Sequence, residues 1–153
     1  HGKKEGTWYN YPPLSDTPYE EITYKDGKRV SLNRVNHKTV YNKGVVEKML
    51  WFFNDGQIKT YQPYSDGKPH GTWYDYHEGE QKRYLYEEIN YSNGQKHGEH
   101  TKYCEDGRMI ETICYNKDDK IKHILYDEDD QSPFEVDFDE NGNMVFNESF
   151  NKK

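Results

Sequence analysis

Long apolar runs are missing from this chain. The longest, Met49-Leu50-Trp51-Phe52-Phe53, is five residues, far short of the roughly 18 that a membrane-spanning helix needs. Aliphatic mass is also scarce: hydrophobic residues make up 31% of 153 positions and mean hydropathy is -1.33. Such polarity alone would describe a disordered chain. There are two cysteines, Cys104 and Cys114. With Asp106-Gly107 as a tight turn, Cys104 is expected opposite Met109 and Cys114 further along on the other face, so no disulfide is expected. Two unpaired thiols point to a reducing, cytoplasmic setting. The chain opens at His1 without Met, which marks a processed or cut form and leaves a removed signal or lipoprotein leader as the other expectation.

Sites for chemistry are equally sparse. No glycine-rich loop joins a strand to a helix, so no phosphate cradle is expected. His97 and His100 have a spacing that suits metal on a helix, but on a strand they face opposite ways, and no cysteine or carboxylate completes a set. Cys104 and Cys114 have histidines nearby (His100, His123) but no nucleophile signature around them. Paired carboxylates abound without an evident cleft to hold them. Asp137, Asp139, Asn141, Gly142 and Glu148 satisfy the pattern of a calcium-binding EF-hand loop. That loop needs flanking helices, and here Pro133 and the alternating "FEVDF" and "MVFNESF" surround it, so a plain turn is the expectation. No catalytic site, metal or cofactor is expected.

Aromatic residues are what the chain has in abundance: fifteen Tyr, six Phe and three Trp. They argue for order, and for a thin structure with a mostly aromatic core. Turn signals punctuate the whole length, at Asp26-Gly27, Lys43-Gly44, Asp55-Gly56, Asp66-Gly67, Glu78-Gly79, Asn93-Gly94, Asp106-Gly107, Asp118-Asp119, Asp129-Asp130 and Asn141-Gly142. They fall 11 to 17 residues apart. Asn-Gly and Asp-Gly favour the turns that join antiparallel strands, and the intervals leave no room for parallel crossovers. The segments between them alternate polar and apolar, and the best helical candidate, Gly44 to Phe53, lacks a clean stripe. The prediction is an all-β, elongated antiparallel meander of hairpins with ten to twelve short strands.

The chain also repeats itself. "YEEITYKDGK" at 19–28 matches "YEEINYSNGQ" at 86–95, and "GTWYNY" at 6–11 matches "GTWYDY" at 71–76. This divides the single domain into two related copies, about 1–66 and 67–132, with a C-terminal capping hairpin at 133–150. The first copy carries an insertion near 28–43, rich in Lys and Arg, expected as a longer hairpin. Trp8 and Trp73 are expected on one face, with Tyr9, Tyr11, Tyr74 and Tyr76 on the other. A thin sheet leaves one aromatic face partly open, unless the sheet curls and covers both.

The phrases "GKKEGTWYNY", "GKPHGTWYDY" and "NGQKHGEHTKY" resemble the bacterial variant of the MORN repeat, roughly Gly-Lys-x-x-Gly-x-Trp-x-x-Tyr followed by a turn glycine. Gly6, Trp8, Tyr11 and Gly27 fit it in the first copy, Gly71, Trp73, Tyr76 and Gly94 in the second, and Gly98 in a third. The resemblance covers most of residues 1–120. It implies a meander of β-hairpins that serves as a scaffold. Bacterial proteins of this type are similar to antitoxin or immunity proteins encoded beside toxins, so the implied function is non-enzymatic binding of a cognate toxin. A structural or envelope-associated interaction module is the alternative, and an enzyme with its catalytic part elsewhere the third.

Charge supports a protein partner. Residues 1–76 hold 11 Lys+Arg and 9 Asp+Glu, whereas residues 77–153 hold 10 and 19. An acidic half disfavours nucleic acid and suits a basic partner such as a toxin. The candidate contacts are Asp127, Glu128, Asp129, Asp130, Asp137 and Asp139, with Tyr74 and Tyr76 as aromatic anchors.

Overall fold

A computed structural model describes residues 2–11, 13, 20–138 and 144–146. Among these residues every regular element is a strand. Contacts divide the chain into two units, residues 1–71 and 72–153.

The first unit holds β1 (Gly6–Asn10), β2 (Glu20–Lys25), β3 (Lys28–Arg34), β4 (His37–Asn42), β5 (Val45–Phe52), β6 (Ile58–Ser65) and the short β7 (Lys68–Pro69). They pair antiparallel in chain order, with β7 on β6. The second unit holds β8 (Gly71–Glu78), which starts at the boundary residue, then β9 (Arg83–Ser92), β10 (Gln95–Tyr103), β11 (Met109–Asn116), β12 (Asp119–Tyr126), β13 (Pro133–Phe138) and β14 (Met144–Phe146). These too follow one another in chain order as an antiparallel meander.

The described residues form fourteen strands, more than the ten to twelve expected. Two breaks had no glycine signal. Val35-Asn36 turns the basic insertion back on itself as hairpin β3–β4, with Asn36 at φ +56°. His70 separates β7 from β8. The segment Gly44 to Phe53 forms strand β5, as its valines and aromatics favour.

Two kinds of connection alternate within each unit. One is a two-residue turn with both residues left-handed: Asp26-Gly27, Lys43-Gly44 and Asp66-Gly67 in the first unit, Asn93-Gly94 and Lys117-Asp118 in the second. This is the type I′ geometry that matches strand twist, and glycine adopts it without strain. The last of these lies one residue before the expected Asp118-Asp119. Each is preceded by a tyrosine, which lies opposite the second residue after the turn: Tyr24 faces Arg29, Tyr41 faces Val46, Tyr64 faces Pro69, Tyr91 faces Lys96 and Tyr115 faces Lys120. Val35-Asn36 is also a two-residue turn, with only Asn36 left-handed, and the connections around Gly56 and Gly107 are wider. Phe53 N–H donates to Gln57 O at 2.8 Å, and Cys104 N–H to Arg108 O at 2.8 Å, around Gly56 and Gly107. Tyr103, not Cys104, therefore faces Met109, and Ile110 is left as an unopposed bulge residue. Ile121 is a second such bulge and is 66% exposed, because the extra residue turns its side chain outward.

The core differs from the aromatic one expected. The buried apolar residues are Leu32, Phe53, Ile113 and Val136, joined by Thr39, Thr101, Thr112, His100 and His123. None of the described tyrosines and tryptophans is buried: Trp8, Tyr9 and Tyr11 are exposed and the others half-buried.

Candidate functional site

Among the described residues of the second unit, the acidic stretch sits in the last of three wide loops. These loops, at residues 78–82, 104–108 and 127–131, are tied to one another side by side. Gln81 N–H donates to Glu105 Oε1 at 3.3 Å. A β-carbon at Gly79 would collide with the Glu105 carboxylate, so glycine permits this approach. Arg108 donates one guanidinium N–H to the Glu128 carbonyl. Met109 N–H donates to Gln131 Oε1 at 2.9 Å.

The carboxylates have divided roles. Asp127 works internally: its Oδ1 accepts the N–H of Asp129 at 2.9 Å and of Asp130 at 3.2 Å. Asp130 Oδ1 accepts the Ser132 N–H at 2.8 Å. Asp106 accepts both the backbone N–H and the Nε–H of Arg108, at 3.0 and 2.6 Å, and these bonds hold its carboxyl below the usual carboxylate range. Glu128, Asp129 and Asp130 are exposed. A groove of about 500 Å³ between the loops is lined by Glu80, Gln81, Lys82, Cys104, Glu105 and Asp106. The three loops carry eight carboxylates (Glu78, Glu80, Glu105, Asp106, Asp127 to Asp130) against Lys82 and Arg108.

The strands behind these loops are locked by two polar networks, one on each face. On one face His100 Nε2 meets Glu87 at 2.6 Å, while Glu111 bonds both Lys102 Nζ at 2.6 Å and His123 Nε2 at 2.9 Å. Burial pushes the Glu111 carboxyl up, but the bonds from Lys102 and His123 prevail and hold it below its usual value; the same partner raises Lys102. On the other face the Tyr103 hydroxyl donates to Glu88 at 2.6 Å, and Thr101 and Thr112 meet at 3.1 Å beneath the Tyr126 hydroxyl. Burial, then the Glu88 bond, pushes the Tyr103 phenol well above its usual range. Both faces of β10 and β11 thus carry buried side chains, His100 and Ile113 on one and Thr101 and Thr112 on the other. In the first unit, among the described residues of its strands, the buried Leu32 and Thr39 lie opposite one another on a single face.

The other sequence candidates are placed as follows. Tyr74 and Tyr76 are half-buried in β8, and Trp73 packs against Tyr91 with centroids 4.4 Å apart and the rings tilted by 37°. Asp137 lies in β13, and Asp139, with most of the calcium-like pattern, lies outside the described residues. Gly6, Gly27, Gly71, Gly94 and Gly98 all take left-handed backbone. Trp8, Tyr9 and Tyr11 are each about half exposed on or beside β1. His97 is exposed, while His100 is buried against Glu87. Cys104 and Cys114 are unbridged, and burial raises the Cys114 thiol. Among the described residues no group of three or more His, Cys, Asp or Glu is arranged to hold a metal, and no helix is long and apolar enough to cross a membrane.

Sequence reasoning missed the partners of the acidic stretch, Glu80, Glu105 and Asp106. It also missed the tyrosine ahead of each I′ turn, although "YKDG", "YNKG", "YSDG", "YSNG" and "YNKD" are visible in the sequence. Comparison with family models, with curated proteins and with solved structures gave no match.

Proposed function

We propose that this chain is a non-enzymatic protein-binding hairpin-repeat protein of the bacterial MORN-variant kind. It acts as an immunity or antitoxin protein by laying the acidic loop edge of residues 72–153 across the basic active surface of a cognate toxin. One observation carries the proposal: three successive loops, bonded to one another, present eight carboxylates against two cations on one edge. An array held this way loses little side-chain and loop freedom on binding and steers a basic partner by charge. The resemblance of the Gly-Thr-Trp-Tyr phrases to toxin-neutralising repeat proteins points the same way.

The test is co-expression with the product of the neighbouring gene, followed by calorimetry. A micromolar or tighter complex that protects cells is expected. Glu128→Lys combined with Asp129→Lys should weaken it at least tenfold, and rising salt should slow its association. No complex at micromolar concentration together with no protection overturns the proposal.

A further inference from the structure

Asn93-Gly94 is the one Asn-Gly pair among the described residues; every other described asparagine precedes a residue with a side chain. Such a pair is chemically labile. The glycine's backbone nitrogen attacks Cγ of the asparagine and closes a five-membered succinimide, while the Cγ–Nδ2 bond breaks and ammonia leaves. Water then opens the ring at either carbonyl. One product is aspartate. The other is isoaspartate, in which the main chain runs through the side-chain carbon. Glycine has no Cβ to crowd the attacking nitrogen, and Asn93 and Gly94 are both exposed.

The fold sets when this chemistry is open to the chain. Asn93 and Gly94 lie at φ +51° and +91°. They are the central residues of a type I′ turn, in which the first ψ is about +30°. At that ψ the Gly94 nitrogen points almost directly away from Cβ of Asn93 about the Cα–C bond. Ring closure needs the two nearly eclipsed, so the closed turn keeps the reacting atoms apart. The turn is also clamped. Gln95 lies opposite Ser92 and Lys96 opposite Tyr91. From the next turn, Asp118 Oδ1 accepts the Lys96 N–H at 2.8 Å, Asp118 N–H donates back to Lys96 O at 2.9 Å, and the Lys117 carbonyl accepts from Gln95 Nε2 at 3.5 Å. The Lys96 ammonium lies 5.0 Å from the Tyr115 ring.

We infer that Asn93 is a self-modification site, deamidating through a succinimide only when the β9–β10 turn opens, so that the clamp at Asp118 sets the rate. The two products differ in effect. Aspartate preserves the I′ turn, as Asp26 and Asp66 do at the same position, and adds one negative charge. Isoaspartate lengthens the main chain by one carbon, so Lys96 no longer sits opposite Tyr91 and its bonds to Asp118 are lost. The reaction needs only the chain and water, and it stands or falls independently of toxin binding.

Peptide mapping of the full chain during incubation at mildly alkaline pH, beside the free peptide "YSNGQK", tests this. The folded chain reacts at the peptide's rate multiplied by the fraction of open turn, so Asn93 should deamidate at least about tenfold more slowly than the peptide. As guanidinium chloride unfolds the chain, the rate should climb to the peptide's. Asp118→Gly keeps a residue suited to the left-handed backbone and removes the carboxylate. It should expose the Lys96 amide to hydrogen exchange and speed deamidation of Asn93 severalfold. Asn93→Asp should unfold at the same denaturant concentration as the natural chain, whereas chains carrying isoaspartate should lose protection of the Lys96 amide. Deamidation of the folded chain at the peptide's rate, or none at Asn93 in the unfolded chain, overturns the inference. So does an unchanged rate in Asp118→Gly; if that variant unfolds, the denaturant series alone decides.

Discussion

The same six-residue phrase is used in two ways. In β8, Gly-Thr-Trp-Tyr-Asp-Tyr is half-buried, and Trp73 packs at a tilt against Tyr91 at 4.4 Å. In β1, Gly-Thr-Trp-Tyr-Asn-Tyr is exposed along its whole length, and Trp8 meets Tyr24 edge-on at 6.4 Å under the Lys4 ammonium. The two units differ in parallel fashion. Residues 1–71 carry 11 Lys+Arg against 8 Asp+Glu, and residues 72–153 carry 10 against 20. The second unit ties its excess acid to buried polar networks and to loops bonded loop to loop. The first has small, partly exposed pairs such as Arg34 with Glu20 at 2.9 Å. One repeat chemistry thus supports a locked, acidic unit and an open, mildly basic one, and neighbours rather than the phrase itself decide which.

Four comparisons probe that contrast. The largest effect belongs to Glu111→Ala, which takes the shared carboxylate from Lys102 and His123. We expect a loss of about 2–4 kcal/mol in urea unfolding followed by reporters in residues 72–153. Glu20→Ala, which frees the 55%-exposed Arg34, should cost less than about 1 kcal/mol. Comparable losses from the two would erase the distinction. Next, Trp73→Ala should destabilise by about 2 kcal/mol and Trp8→Ala by less than about 1 kcal/mol, because half-exposed Trp8 removes less surface from water. Third, Gly27→Ala and Gly94→Ala should each cost about 1–2 kcal/mol, since both positions are left-handed and an alanine is strained there. Equal effects in the two units would show that the turns are shared and only the networks differ. A large gap between them would sharpen the contrast further.

The smallest effect is acid sensitivity. The folded-state pKa of Glu111 lies below its ordinary value of 4.5. Its stabilising contribution is therefore complete above that value and is lost as pH falls through the lower folded value. Chemical denaturation at pH 7 and pH 3 should show a smaller difference for Glu111→Gln than for the natural chain. An unchanged difference would assign the acid loss to other carboxylates.

Much of the architecture was legible because turn chemistry is local. Asp-Gly and Asn-Gly pairs need only their own backbone to announce a hairpin, and they marked strand ends from Asp26 to Gly107. Val35-Asn36 escaped because asparagine alone supplies its left-handed residue. The networks escaped for a different reason. A bulge shifts which residues face each other, so that Tyr103 rather than Cys104 meets Met109, and every later assignment of faces depends on counting it. The acidic site was half legible: Asp127 to Asp130 form a run in sequence, but Glu80, Glu105 and Asp106 join them only through folding.

The seating of one turn on the next has a consequence for how such a chain changes in length. Lys28 rests on Gly44, Val45 rests on Gly67, and Gln95 reaches the Lys117 carbonyl, so within each unit an I′ turn meets its successor through the first residue after the turn. That contact involves two adjacent hairpins and little else. Removing or duplicating a whole hairpin inside either unit would recreate the same seat between new neighbours. Gene variants of this protein should therefore gain and lose residues in two-strand steps, whereas a deletion of a single strand would reverse every later turn and undo the column.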